Sequence, residues 1–189
     1  MSTTNPVPPA VIVASRYNAT ITDALVEGAR TAYLARGGDA ARLVVMPAAG
    51  AFEVPGLCAA AAREGFAVVV AIGCIVKGET SHDQHLASAV TGALADLASG
   101  SGVAVGLGVL TVDTIEQARA RSGGRLGNKG EEAMLAALDT FRASEALRPC
   151  VDSSDGHELE DADAYFRGVH RRLAAITPGS RDKASEGGR

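Results

Sequence analysis

The chain has 189 residues, 47% of them hydrophobic and 21% charged, which excludes a disordered, collagen-like or coiled-coil protein. Its 19.2 kDa accommodate one ordinary domain plus a few tens of residues, and a net charge of −4 supplies no global basic field, so no nucleic-acid partner is expected. The longest apolar run, residues 67–76, is too short for a bilayer span and residues 1–10 lack a signal-peptide pattern, so no membrane partner is expected and the location is read as cytoplasmic.

Residues 1–10, punctuated by Pro6, Pro8 and Pro9, read as a flexible leader. Residues 11–15 are short, largely β-branched and apolar on both faces, as in the buried strand of a parallel sheet. Thr20, Thr22 and Asp23 then offer N-cap oxygens and a first-turn acid, Ile21, Leu25, Ala29, Ala32 and Tyr33 follow at helical spacing, and Gly37 and Gly38 stop the helix. The alternation repeats as a strand at 43–46, a helix from Glu53 with Pro55 in its first turn, a strand at 67–72, a helix at 82–97 and a strand at 103–110. Strands that alternate with helices predict a three-layer α/β/α sandwich on a four-stranded parallel sheet of flavodoxin-like type. Asp113, Thr114, Ile115 and Glu116 form a capping-box variant that opens a short helix, broken at Gly123 and Gly124 before a last helix over 130–147.

The core domain is therefore expected to span 11–148, followed by a Pro, Asp, Ser and Gly linker at 149–157. Over 158–176, Leu159, Ala162, Phe166, Val169, Leu173 and Ile176 recur at spacings of three and four, with acidic residues early and basic residues late, which predicts an amphipathic tail helix. Residues 177–189 read as a disordered tail.

Ligands of open parallel sheets bind beyond the carboxyl ends of the strands, which directs attention to the loops that follow them. In one of these, Gly78, Glu79, Thr80, Ser81 and His82 place small polar residues and backbone N–H groups at a helix start, where an anion such as phosphate is favoured; Thr80 and Ser81 acting only as caps is the plain alternative. His82 suits general acid–base work because an imidazole titrates near neutrality. His82 and His85 share a helical face, but no third ligand stands in a convincing pattern, and no metal is expected. Arg119, Arg121, Arg125 and Lys129 form a cationic loop without an acid, suited either to an anion or to a solvated turn between helices. Gly50, Ala51, Phe52 and Glu53 offer an aromatic face, an acid and amides that suit a flat polar heterocycle, although Phe52 fits a core position equally well. Cys58, Cys74 and Cys150 are odd in number and scattered, and read as reduced, mostly buried thiols.

Taken in this order, the segments SRYN, GAFEVP, GCIVKGETSH, GLGVLTVDTIEQA and RSGGRLGNKGEEA resemble the 6,7-dimethyl-8-ribityllumazine synthase family of riboflavin biosynthesis over about residues 11–140. The resemblance implies a transferase that condenses 5-amino-6-(D-ribitylamino)uracil with 3,4-dihydroxy-2-butanone 4-phosphate and releases phosphate and water, with no cofactor. It implies that Tyr17 stacks on the pyrimidine beside Asn18, that Ala51, Phe52 and Glu53 hold the ribityl chain, and that the backbone of Cys74, Ile75 and Val76 meets the pyrimidine edge. Glu79 and Thr80 would form the phosphate turn, with His82 as the proton-transfer residue. Leu107, Arg121 and Lys129 would come from a neighbouring subunit, Arg121 on the phosphate. The implied assembly is a homopentamer with shared active sites, open to growth into an icosahedral shell because the loop 123–130 has the uninterrupted form of shell-forming members, with riboflavin synthase as a further candidate partner.

Several positions depart from the common family pattern. Leu107 stands where Phe is usual, Tyr17 replaces Phe, Lys77 replaces Arg, and Asp83 and His85 replace aromatic residues. The tail beyond about residue 148 has no family counterpart in this reading. Two alternatives keep the same fold, a flavin-binding module and a shell subunit with weak or lost turnover. Against the first, Arg16, Tyr17, Asn18 and Ala19 follow strand one where a flavodoxin has a Thr, Ser and Gly-rich phosphate loop.

Overall fold

Strands β1 (Ala10–Ser15), β2 (Leu43–Ala48), β3 (Val68–Val76) and β4 (Ala104–Val112) pair in parallel in the order β2-β1-β3-β4. A computed structural model describes residues 6–148 and 162–176 of the chain. Alternate side chains of the central strands point to opposite faces, and both faces are covered. Ile12, Val70 and Ile72 belong to one core layer, packed with Ile21, Leu25 and Tyr33 of helix α1 (Ala19–Ala35) and with Met134 and Leu138 of helix α5 (Lys129–Leu147). Val11, Val13, Val69 and Ala71 belong to the other, packed with Val54 and Cys58 of helix α2 (Val54–Arg63) and with Val90 and Leu94 of helix α3 (His82–Ser101). Each fully buried Ile, Leu or Val contributes roughly 1.5–3 kcal/mol, so these two layers, rather than helix propensity, hold the sandwich. This is the flavodoxin-like α/β sandwich that the strand and helix alternation predicts.

The C-terminal end of α1 follows its sequence signal. Gly37 takes φ +86, its N–H donates to the carbonyl of Leu34 at 2.9 Å, and the N–H of Gly38 donates to Tyr33 at 3.0 Å. This reciprocal pair satisfies two terminal carbonyls, and only glycine enters the left-handed region at no cost. Tyr33 is buried with its hydroxyl donating to the Pro8 carbonyl at 2.9 Å, which ties the residues before β1 to the helix. Burial pushes the Tyr33 phenol up from its ordinary value.

Three local expectations need correction. Thr20 and Thr22 do not cap α1; the N-cap position is Asn18, at φ 57, and its side chain makes no cap bond. Helix α4 (Ile115–Arg121) is capped by Thr114, whose Oγ1 accepts from the Gln117 N–H at 3.3 Å while Gln117 Oε1 accepts from the Asp113 N–H at 3.0 Å. The box partner is thus Gln117, and neither Asp113 nor Glu116 fills that position. The segment between α4 and α5 is not a plain turn but a small antiparallel hairpin, β5 (Ser122–Gly124) and β6 (Gly127–Asn128), with Ser122 opposite Asn128. Glycine, serine and asparagine have little strand propensity, so composition does not signal these strands.

The chain divides into two compact units, Met1–Phe141 and Arg142–Arg189. The second contains the last turns of α5 and helix α6 (Ala162–Ile176). Arg172 Nε donates to the Ala146 carbonyl at 2.9 Å and Nη2 to the Arg148 carbonyl at 3.1 Å, so a guanidinium closes the C-terminal end of α5, where a cation is favoured. The tail helix expected over 158–176 is present over Ala162–Ile176. Residues 158–161 lie outside the described residues, as do Cys150, the linker at 149–157, the tail at 177–189 and residues 1–5 of the leader. Among the described residues, no helix is long and apolar enough to cross a membrane.

Candidate active site

The order β2-β1-β3-β4 puts a switch point between β1 and β3, since α1 leaves β1 toward one face and α3 leaves β3 toward the other. The β1–β3 ladder ends at Ala14 and Ile72. Strand β3 continues to Val76, paired there only with β4 through Gly73–Val109, Cys74–Leu110, Ile75–Thr111 and Val76–Val112. Its edge toward β1 is therefore left without a strand partner along Gly73, Cys74, Ile75 and Val76. A flat ligand with donors and acceptors along one side fits such an edge.

Asn18 spans this crevice. Its Nδ2 donates to the Cys74 carbonyl at 2.9 Å, which accounts for the left-handed backbone at a residue other than glycine. The next residue back, Tyr17, is 71% exposed, with its N–H donating to Ser15 Oγ at 3.2 Å. A methyl group built on Gly50 would stand 3.0 Å from Glu53 Oε2 and 3.4 Å from the Tyr17 ring, so the acid and the aromatic converge above a residue that has no side chain. Ala51 is buried, beside Gly73 of β3, whereas Phe52 is 68% exposed and holds no core position. The structure thus gathers Tyr17, Asn18, Ala51, Glu53 and Cys74 around the open end of β1 and β3. Ile75 is buried and Val76 half-buried on the same strand, and Phe52 lies on the adjoining loop.

The turn after β3 begins with the Lys77 N–H on the Val112 carbonyl at 2.9 Å. Lys77 Nζ stands 3.8 Å from Asp113 Oδ1, an exposed pair of small energetic weight. Glu79, Thr80 and His82 are exposed, and His82 is the first residue of α3. Ser81, at the N-cap position, makes no side-chain cap, and the Thr80 hydroxyl accepts weakly from the His82 N–H at 3.4 Å. Among the described residues, the N–H groups of Gly78, Glu79, Thr80 and Ser81 donate to no protein acceptor. They remain available to an anion at the positive end of the 20-residue helix α3.

Leu107, Arg121 and Lys129 stand apart from this cluster. Leu107 faces solvent at 52% exposure on the edge strand β4, opposite Ala71, three positions below the Cys74–Leu110 pair and so about 10 Å from that level at the rise of a strand. Arg121 closes α4, with Nη1 donating to the Gln117 carbonyl at 3.0 Å, which leaves most of its guanidinium donors unused. Lys129 opens α5 with Nζ 2.6 Å from Glu132 Oε2. Among the described residues, no hydrogen bond or ion pair joins these three to Tyr17, Glu53 or His82.

A cavity of about 210 Å³ lies between β4 and the starts of α3 and α4, lined by Lys77, Asp83, Gln84, Thr111, Val112, Asp113 and Gln117. None of the sequence-predicted site residues lines it. Of those residues Tyr17, Phe52, Glu53, Glu79, Thr80 and His82 are exposed, whereas Ala51, Cys74 and Ile75 are buried. Among the described residues, no three His, Cys, Asp or Glu side chains gather as a metal would require. Cys58 and Cys74 are free, buried and on opposite sides of the sheet, and burial pushes the Cys58 thiol up to about 12 and raises that of Cys74.

Sequence reasoning missed Asn128. Its Nδ2 donates to the Ala24 carbonyl of α1 at 2.8 Å, and its Oδ1 accepts from the N–H groups of Gly130 at 2.9 Å and Glu131 at 3.3 Å. The signal was an asparagine just ahead of a helical run with acids in its first turn, an N-cap pattern displaced by starting that helix at Gly130.

The family model described as 6,7-dimethyl-8-ribityllumazine synthase matches residues 9–145. A relative of that name from Xanthomonas campestris pv. campestris (strain B100) is 43% identical over 138 residues, covering 72% of this chain and 90% of its own length. One from Campylobacter curvus (strain 525.92) is 42% identical over 129 residues, covering 68% and 83%, and one from Campylobacter lari is 38% identical over 138 residues, covering 72% and 88%. With the family model spanning most of the chain and relatives near 40% identity over nearly their full length, the chain belongs to the 6,7-dimethyl-8-ribityllumazine synthase family.

Proposed function

We propose that the protein condenses 5-amino-6-(D-ribitylamino)uracil with 3,4-dihydroxy-2-butanone 4-phosphate to 6,7-dimethyl-8-ribityllumazine, releasing phosphate and water, in the cytoplasm and without a cofactor. The observation that supports this most strongly is the bare edge of β3 beyond Ile72, bordered by Tyr17, Asn18 and Glu53 and followed by a turn with unused N–H groups. The pyrimidine lies along the backbone of Cys74, Ile75 and Val76 with the Tyr17 ring on its face. Ala51, Phe52 and Glu53 hold the ribityl hydroxyls. The phosphate of the ketone sits on the turn at Glu79 and Thr80. His82, next to that turn, moves the proton that the amine loses as it attacks the ketone and the proton that accompanies phosphate departure. The developing anion is held by the helix start and by Arg121 and Lys129.

The position of Leu107, Arg121 and Lys129 away from this cluster supports a shared site, in which a neighbouring copy brings these three residues to the crevice. A homopentamer that closes on itself satisfies that demand, and an icosahedral shell and riboflavin synthase are the further assembly and partner in this reading. Exposed Leu107, Phe52, Val44 and Val45 are apolar surface for such contacts. Purified protein incubated with both substrates is expected to produce the lumazine chromophore with one phosphate per turnover, and to scatter light as a pentamer or a multiple of it. No chromophore with both substrates present, or a monomer at micromolar concentration, contradicts the proposal.

A further inference from the structure

The hairpin β5–β6 has almost no sheet of its own, yet it separates the two cations assigned to the phosphate. Ser122 pairs with Asn128, so Arg121 and Lys129 flank that pair and leave the open end of the hairpin together. The Leu126 N–H ties the hairpin turn to the Ala120 carbonyl of α4 at 2.8 Å, and the side chain of Asn128 ties the hairpin to α1 and α5. The oxygen caps α5 through Gly130 and Glu131, and the amide crosses to the Ala24 carbonyl in the middle of α1, 104 residues away in sequence.

Two glycines make room for this link. A methyl group on Gly28 of α1 would fall on the Asn128 amide, and one on Gly130 would fall on the Leu25 backbone. An N-cap needs only an acceptor oxygen. The donated bond to Ala24 and the cleared space at Gly28 exceed that need, and they fix the hairpin to the helix whose first turn follows Tyr17 and Asn18. The same α1 therefore borders the pyrimidine crevice at its start and anchors the cationic loop farther along.

We propose that Asn128 is a positioning residue that sets Arg121 and Lys129 for the phosphorylated ketone by locking the hairpin onto α1. This rests on the reading of those two cations as phosphate ligands. Misplacing a charge-assisted contact by about 1 Å is enough to weaken it strongly, whereas the pyrimidine crevice, built on β1 and β3, does not pass through the hairpin.

The test uses steady-state kinetics of the full chain with Asn128→Ser, which keeps a cap oxygen but is too short to reach Ala24. A second variant, Gly28→Ala, obstructs the Asn128 amide from α1 without changing a residue of the hairpin. The expected result for both is a KM for the phosphorylated ketone raised roughly five- to fifty-fold, with KM for the pyrimidine within about two-fold of wild type. Gly28→Ala is informative because helix propensity alone would make it stabilising. An active wild type whose variants melt at lower temperature but keep both KM values, or raise them equally, overturns the positioning role alone. A wild type that makes no lumazine removes the reading beneath it as well. If Asn128→Ser fails to fold, Gly28→Ala decides by the same split.

Discussion

Replacing His82 with alanine is expected to lower turnover roughly ten- to a thousand-fold while the assembly stays intact. The imidazole is exposed, opens α3 and contributes no side chain to either core layer, so its removal costs little stability. A positioned general acid–base group contributes up to about ten-thousand-fold in favourable cases. In the proposed reaction both substrates are intrinsically reactive, so holding them together on the β3 edge would supply much of the acceleration, which places the expected loss lower. Single-turnover rates of wild type and His82→Ala, with gel filtration of each, make the measurement. An unchanged rate removes His82 from proton transfer.

Arg121→Ala is expected to act on binding. Its guanidinium uses one bond to hold the Gln117 carbonyl and has the rest of its donor fork for an anion. Losing a hydrogen bond to a charged group costs about 1.5–3 kcal/mol, or roughly ten- to a hundred-fold in KM for the phosphorylated ketone. KM for the pyrimidine should stay nearly constant. The Gln117 carbonyl belongs to α4, and Thr114 and Gln117 cap that helix without help from Arg121, so the fold should persist. Equal rises in both KM values place Arg121 away from the phosphate.

Much of the fold was legible because its signals are dense and redundant. Apolar β-branched runs predicted the four strands, and the Gly37–Gly38 stop of α1 appeared as the sequence implied. Strands β3 and β4 were expected to end at Ile72 and Leu110 but continue to Val76 and Val112, since Gly73 stays in the ladder opposite Val109 and does not interrupt it. That extension creates the bare edge of the site, and no local rule announces it. Asn18 shows a different limit. Capping rules favoured Thr20 and Thr22, but the residue at the N-cap turns its side chain across the switch point to Cys74, a partner 56 residues distant. The hairpin was hidden for a third reason. Its residues have weak strand propensity, and its placement comes from Asn128, Gly28 and Gly130, contacts that exist only once α1 and α5 have met.

The residues of the site were read from a resemblance, and within one chain the structure gathers only part of them. Tyr17, Asn18, Ala51, Glu53 and Cys74 meet at the switch point, whereas Leu107, Arg121 and Lys129 face elsewhere. The proposed sharing of the site between copies can be tested with the two variants already described. His82→Ala and Arg121→Ala subunits, each nearly inactive at low ketone concentration, are unfolded together, refolded in equal amounts and assayed for lumazine formation. If each site takes His82 from one copy and Arg121 from its neighbour, random mixing gives about a quarter of the sites both residues, and activity returns to about a quarter of wild type. Activity no greater than the average of the two separately refolded variants, in oligomers shown to contain both, would contradict a shared site.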